Sequence, residues 1–321
     1  MRFALGLLAA LVLAPALAAQ PSGRLYNQQK VGELLYAQRD TLGAIPDVRW
    51  FPYVIDHPTK NSILARTELY RAAGEGDPVR GKDRLAMVQF MNRVWLDDLR
   101  IGDTLALPTH LDQDPRAYAP FPRDYAGARD FDKLFIIHKG AQAWAAYESG
   151  RLERWGLVNT GAVDSQTPAG RYNFNWRERE RVSTLSPPGE TWRMRWVVNF
   201  HDARGIHVHQ YAMPIGEPAS HGCVRTITRD AEWIYEWADL WRTTNGHGSR
   251  GLASRGRILQ QGTTVLVLGE EPVGGPPQRF RWDDGVPTLV VVDLPDDPYS
   301  VPAGTPQQER FDRIRKRNAS S

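Results

Sequence analysis

A mainly β chain of the α+β class, a sandwich or barrel with a small helical part ahead of it, is what this sequence predicts. Three observations carry the expectation. From Lys133 onward, short apolar runs follow one another at close spacing, parted by turn residues. Ahead of them, Leu85, Val88, Phe90, Met91, Val94 and Trp95 keep an amphipathic helical spacing. One further helical stripe, Trp233, Ile234, Trp237, Ala238 and Trp241, interrupts the strands.

The chain opens with Arg2, an apolar run from Phe3 to Leu13, and small residues at Ala16-Leu17-Ala18 or Leu17-Ala18-Ala19. This is the pattern of an export signal, placed at 1–19, so the mature protein is expected in the periplasm or cell wall. The apolar run is too short to span a bilayer, and nothing later approaches the required ~20 apolar residues. No cysteine follows the run, which closes the route to lipid attachment through an N-terminal cysteine. Residues 20–127 form an accessory region, with helices expected over Gly32–Asp40 and Asp83–Asp98 and a turn and short strand over Leu99–Pro108. The proline-, aspartate- and tyrosine-rich stretch Asp112–Tyr125 reads as a linker.

The strand-rich unit occupies 128–270. Leu134–His138, a turn at Lys139-Gly140, and Ala143–Tyr147 suggest a hairpin. Strand-like runs continue at Leu152–Thr160, Arg171–Trp176, Trp192–Phe200 and Gly205–Tyr211, and Gly262–Leu268 closes the unit. In the interrupting helix Thr228 is the expected N-cap, and Asp230 and Glu232 suit the positive helix start. Its tryptophan stripe is assigned to the core. In the extension 271–321, Thr288–Leu294 is expected to add an edge strand. The proline- and charge-rich tail from Asp296 reads as disordered or as a solvated helix end.

With 41% hydrophobic and 24% charged residues, the composition is that of a globular chain, and its length exceeds one typical domain. The net charge of +3 is interspersed along the chain, and no nucleic-acid motif accompanies it, so a nucleic-acid role is not expected.

Cys223 is the only cysteine. In an exported chain a thiol with no internal partner points to chemistry. The thiolate is the nucleophile, and a neighbouring histidine or cation favours its formation. His207, His209, His221 and Arg225 supply such groups within one segment. Arg225 could hold a substrate carboxylate in a bidentate pair or form a structural ion pair. If Gly205–Tyr211 is a strand, His209 shares a face with His207, to assist or to line the cleft. The same residues offer His-x-His and His-x-Cys pairs that could hold a tetrahedral zinc, which is a rival reading.

The segments Thr167-Pro168-Ala169-Gly170-Arg171-Tyr172, Gly205-Ile206-His207 and Gly216-Glu217-Pro218-Ala219-Ser220-His221-Gly222-Cys223-Val224-Arg225 resemble, in order and spacing, the signatures of the YkuD-type L,D-transpeptidases. Gly262-Thr263-Thr264-Val265 resembles the closing strand of that family, and the likeness covers roughly 131–270. It implies a β-sandwich-like catalytic domain that remodels peptidoglycan stem peptides through a cysteine acyl-enzyme, without a cofactor. Cys223 matches the nucleophile, His207 the histidine that takes its proton, and His221 a second histidine that shapes the pocket. Ser220 and Gly222 would set the turn that exposes the thiol, with the Gly222 and Cys223 amides as oxyanion donors. Val208 stands where the family commonly has glycine or serine, so a backbone carbonyl is left to orient His207. The expected reaction forms 3-3 cross-links and releases D-alanine from a tetrapeptide stem. Lipoprotein attachment, D-amino acid exchange and hydrolysis would use the same acyl-enzyme. A non-catalytic wall-binding protein is the other rival. The helix and Gly102-Asp103-Thr104-Leu105-Ala106-Leu107-Pro108 resemble the second half of a LysM module, which makes glycan strands a further expected partner of the N-terminal region.

Overall fold

The structure, a computed structural model, describes residues 29, 33, 45–111, 114–213, 216–247, 256–273, 277 and 279–319, with Asp83 and Ala319 described in their backbone only. The expected export signal lies outside the described residues, as does nearly all of the helix expected at 32–40.

The described chain begins with β1 (Trp50–Val54), α1 (Ser62–Ala73), α2 (Pro78–Asn92) and β2 (Thr104–Pro108), with β1 and β2 paired antiparallel. Helix α1 is capped by Asn61 Oδ1, which accepts from the amides of Ile63 and Leu64, and α2 by the side chain of Asp77 with Pro78 following it. The expected helix at 83–98 therefore starts earlier and stops at Arg93, which adopts a left-handed conformation with φ 54°.

Two sheets follow. The first takes β3 (Lys133–His138), β4 (Ala143–Glu148), β5 (Arg151–Leu157), β6 (Gly170–Asn173) and β14 (Thr264–Leu268), in the order β5-β4-β3-β14-β6. The second takes β7 (Arg177–Val182), β8 (Arg193–His201), β9 (Ile206–Gln210) and β10 (Val224–Thr226), in the order β10-β9-β8-β7. Helix α3 (Thr228–Trp237) packs with the second sheet, and the short strands β11 (Arg242–Thr243), β12 (Gly246–His247) and β13 (Ile258–Gln260) form a separate ribbon.

Residue alternation explains why β3 and β4 read as continuous apolar runs. Phe135, Ile137, Trp144 and Ala146 face a core shared with Val198, Phe200, Ile206, Val208 and Val224 of the second sheet and Ile234 of α3. Leu134, Ile136, Ala145 and Tyr147 face the opposite way, onto Met87, Phe90 and Met91 of α2 and onto Tyr118, Phe121 and Tyr125. Each fully buried large side chain here contributes roughly 1.5–3 kcal/mol. The first sheet is thus covered on both faces.

Several expectations are corrected by this packing. The stretch read as a linker is a wall of the core, because Tyr118 Oη donates to the His110 carbonyl (2.6 Å) and Trp155 Nε1 to the Pro115 carbonyl (2.7 Å). A boundary at 127/128 therefore cuts through a continuous core. The N-cap of α3 is Ile227, one residue before Thr228, and has no side-chain cap bond. The expected edge strand at 288–294 lies elsewhere: β15 (Phe280–Asp283) pairs with β16 (Val286–Leu289) as a separate hairpin. Of the two readings of the tail, disordered or a solvated helix end, the structure has the helix, α4 (Pro306–Ala319), with a docked strap ahead of it in place of free chain. Arg171 is the anchor, with Nη1 donating to Gln308 Oε1 (3.1 Å) and Nη2 to Asp312 Oδ2 (2.6 Å). The Arg171 amide also donates to the Pro302 carbonyl (2.7 Å), so the strap covers the exposed edge of β6.

Candidate active site

Strands β9 and β10 run parallel, with Val224 opposite Val208 and Arg225 opposite His209. Continued by one residue, that register sets Cys223 beside His207. Because side chains alternate across a strand, Val208 and Val224 enter the core while His207, His209, Cys223 and Arg225 share the opposite face. All four line one cleft of ≈ 770 Å³ open to solvent, together with Ser220 and His221.

The turn that presents Cys223 is held from several sides. The Gly222 amide donates to Ser220 Oγ (3.1 Å), and Ser220 Oγ donates to the Cys223 carbonyl. Gly222 has φ 110°, a conformation that disfavours any residue with a Cβ. From outside the turn, Thr167 Oγ1 accepts from the Gly161 amide and donates to the Gly222 carbonyl, both at 2.9 Å, and Ser165 Oγ donates to the Ser220 carbonyl (3.0 Å). The Thr-Pro-Ala-Gly-Arg-Tyr segment thus clamps the cysteine turn through Thr167 and the C-terminal strap through Arg171. The expectation of two oxyanion donors is corrected: the Gly222 amide is taken up within the turn.

His207 is buried, and its ring has a side-chain orienter that the sequence reading missed. Asn199, directly opposite on β8, places Nδ2 3.0 Å from His207 Nδ1. The amide is fixed in turn, since Asn199 Nδ2 donates to the Ile206 carbonyl (3.0 Å) and Oδ1 accepts from Asn175 Nδ2 (2.8 Å). Trp176 meets the ring edge-on at 5.1 Å. A carbonyl alone therefore does not have to orient His207. Asn175 and Asn199, polar residues within apolar stretches, were the available signal, since asparagine in a β-rich core is otherwise costly.

The thiol of Cys223 is half-buried and lies 3.8 Å from the Gly205 carbonyl. Burial pushes its pKa above the ordinary thiol value. The His207 backbone amide and the positive charges of Arg225 and Arg181 pull the other way. His209 is pushed down to about 4 by burial, against the hydrogen bond from its Nδ1 to the Gln210 carbonyl (3.0 Å), so its ring is neutral at physiological pH. His221 stands exposed at the cleft mouth, stacked on Trp192 at 5.4 Å. Arg225 is only 8% exposed, and its guanidinium lies over the Tyr211 ring at 4.9 Å. Among the described residues no carboxylate pairs with it, so of the two alternatives for Arg225 the structural ion pair is not formed. No group of three or more His, Cys, Asp or Glu among the described residues is placed to hold a metal, as the zinc reading would require. His209 is turned to Gln210 and His221 to Trp192.

Residues 132–267 match the family model described as the YkuD L,D-transpeptidase catalytic domain. This stretch is a YkuD domain. The match leaves the β1–β2 unit outside, and nothing supports its LysM-like ending. No curated protein matches the chain. Among solved structures, an L,D-transpeptidase from Mycobacterium smegmatis is 17% identical (TM-score 0.32), covering 43% of this chain and 59% of its own. L,D-transpeptidase 3 from Mycobacterium tuberculosis, in complex with a faropenem-derived adduct, is 20% identical (TM-score 0.32; 43% and 60%). An L,D-transpeptidase (Yku) from Stackebrandtia nassauensis is 18% identical (TM-score 0.34; 79% and 99%). The chain thus spans about 59% of the length of the first of these. Within the YkuD domain the four signature segments converge: Thr167 and the cysteine turn by hydrogen bonds, His207 and Cys223 by strand register, and Thr264–Leu268 as strand β14, between β3 and β6.

Proposed function

We propose that the protein is an L,D-transpeptidase acting outside the cytoplasm on peptidoglycan stem peptides, with Cys223 as nucleophile and His207 as its proton acceptor and donor. The observation that carries this reading is the pairing of His207 and Cys223 on one face of the parallel β9–β10 register, inside an open cleft. In the reaction, the Cys223 sulfur attacks the amide carbonyl of the third stem residue and its proton passes to His207. The C–N bond then breaks, and His207 returns the proton to the departing D-alanine amine, leaving a thioester. With the Gly222 amide taken up in the turn, the Cys223 amide is the donor assigned to the developing oxyanion. A side-chain amine of a neighbouring stem takes the acyl group and gives a 3-3 cross-link. Ser220 holds the turn, Arg225 receives a substrate carboxylate, and the neutral His209 lines the cleft beside it. His221 shapes the mouth. The N-terminal export signal expected from the sequence fits this location, and among the described residues no helix is long and apolar enough to cross a membrane.

The test is incubation of the protein with disaccharide-tetrapeptides. Release of D-alanine and a stem-sized mass on Cys223 are expected, and both should vanish in Cys223→Ala. If D-alanine is not released and no acyl mass appears, the reading is wrong. Mass spectrometry of the products identifies the acceptor in the same experiment, whether stem amine, lipoprotein lysine, free D-amino acid or water.

A further inference from the structure

The lining of the cleft is one-sided in charge. Arg181, Arg204 and Arg225 all contribute to it, and no Asp or Glu does among the described residues. Of the acids on the surrounding elements, Glu178 pairs with Arg181 itself (3.2 Å) and offsets its charge, Glu190 accepts from Trp192 Nε1 (2.7 Å) at the rim, and Asp202 accepts from Trp176 Nε1 (2.7 Å). The three arginines sit at different depths: Arg225 at the floor, Arg181 half-buried on β7, and Arg204 exposed in the turn before β9.

Arg225 is the decisive one. A guanidinium more than nine-tenths buried bears a desolvation cost that an opposite charge normally offsets. Here the protein supplies an aromatic face and no carboxylate. Two residues beyond Cys223 on the same face of one strand, it stands about 6–7 Å along β10 from the thiol. A carboxylate one residue away from an attacked carbonyl would reach it. Planar, bidentate recognition by arginine suits such a group. At the mouth, Arg204 provides a second positive position, more exposed to solvent and therefore more screened by salt, while Arg181 is already paired with Glu178.

We propose that this cleft is an anion-selective receptor that admits donor peptides bringing at least two free carboxylates, one to Arg225 at the floor and one to Arg204 at the mouth, and that it rejects stems amidated at those groups. The proposal rests on Cys223 being the reactive group of the cleft. It goes further in assigning the substrate's charge state to particular residues.

Two alkylating probes of nearly equal size and opposite charge character test it. The rates at which iodoacetate and iodoacetamide modify Cys223 are measured at low salt by intact-protein mass, with glutathione alongside to set the intrinsic ratio. The iodoacetate-to-iodoacetamide ratio for Cys223 is expected to exceed that of glutathione at least tenfold. It should fall severalfold in Arg225→Gln and, separately, in Arg204→Gln. Raising the salt should erase the Arg204 contribution first. A ratio no greater than that of glutathione overturns the proposal, as does a ratio that neither variant moves. Arg204 is exposed, so its variant keeps the test valid if Arg225→Gln does not fold. The transpeptidase reading fails separately: absent D-alanine release with an intact charge preference would remove the reaction and leave the anion receptor.

Discussion

Cys223 sits among forces that oppose one another. Burial holds the proton on sulfur, while the His207 amide and two guanidiniums favour its loss, and burial is the largest of them. Near neutrality the resting group is therefore a thiol, and the thiolate appears only as pH rises through a value above the ordinary ~8.5. Iodoacetamide alkylation of Cys223 followed against pH should inflect above that of a free thiol. An inflection well below that of a free thiol would show an ion pair in the resting protein and contradict this account. The residue identities behind the site were legible in the sequence: Cys223, His207, His209, His221 and Arg225 all line the cleft. Their environments were not, because burial and partner choice depend on strands distant in sequence. Thus Arg225 was open between ligand and ion pair until the absence of a carboxylate beside it was visible.

At the level of elements, strand pairing decides which residues meet. Asn199 was passed over because its strand, Trp192–Phe200, read only as apolar, and its partner His207 follows across a turn. The antiparallel β8–β9 register is what turns that asparagine toward the imidazole. Asn199→Ala is expected to reduce D-alanine release by about tenfold or more, within the range that general acid–base catalysis contributes. Iodoacetamide should still modify Cys223 in that variant. Equal loss of alkylation would indicate collapse of the sheet instead. Helices were harder to bound than strands. Strand β7, Arg-Glu-Arg-Glu-Arg-Val, escaped notice because its charged side chains lie on the protein surface at the sheet edge, where apolar alternation is not required. Helix α1 was likewise missed, although Asn61 and Asp77 mark both helix starts in the sequence.

For the whole molecule, the segments outside the YkuD domain prove to be part of its enclosure. Helix α2 and residues 115–125 cover one face of the five-stranded sheet, and the C-terminal strap covers its β6 edge. Composition had marked both stretches as linker and tail, since proline and charge are common in each, and only tertiary contacts distinguish a docked segment from a free one. Arg171→Leu should release the strap, lowering stability by about 2 kcal/mol for the lost charged hydrogen bonds. A shifted denaturant midpoint and new proteolytic cleavage after Val301 would report it, whereas an unchanged midpoint would show that the strap is held by other contacts. The β9–β10 pairing also has a consequence in time. His207 and Cys223 belong to strands joined by a crossover and become neighbours only when that parallel pair closes, a non-local event that folds slowly. A chain still short of that step carries an ordinary cysteine. The environment that sets Cys223 apart is therefore acquired late, and the rate at which Cys223 gains selective reactivity during refolding serves as a clock for closure of the second sheet.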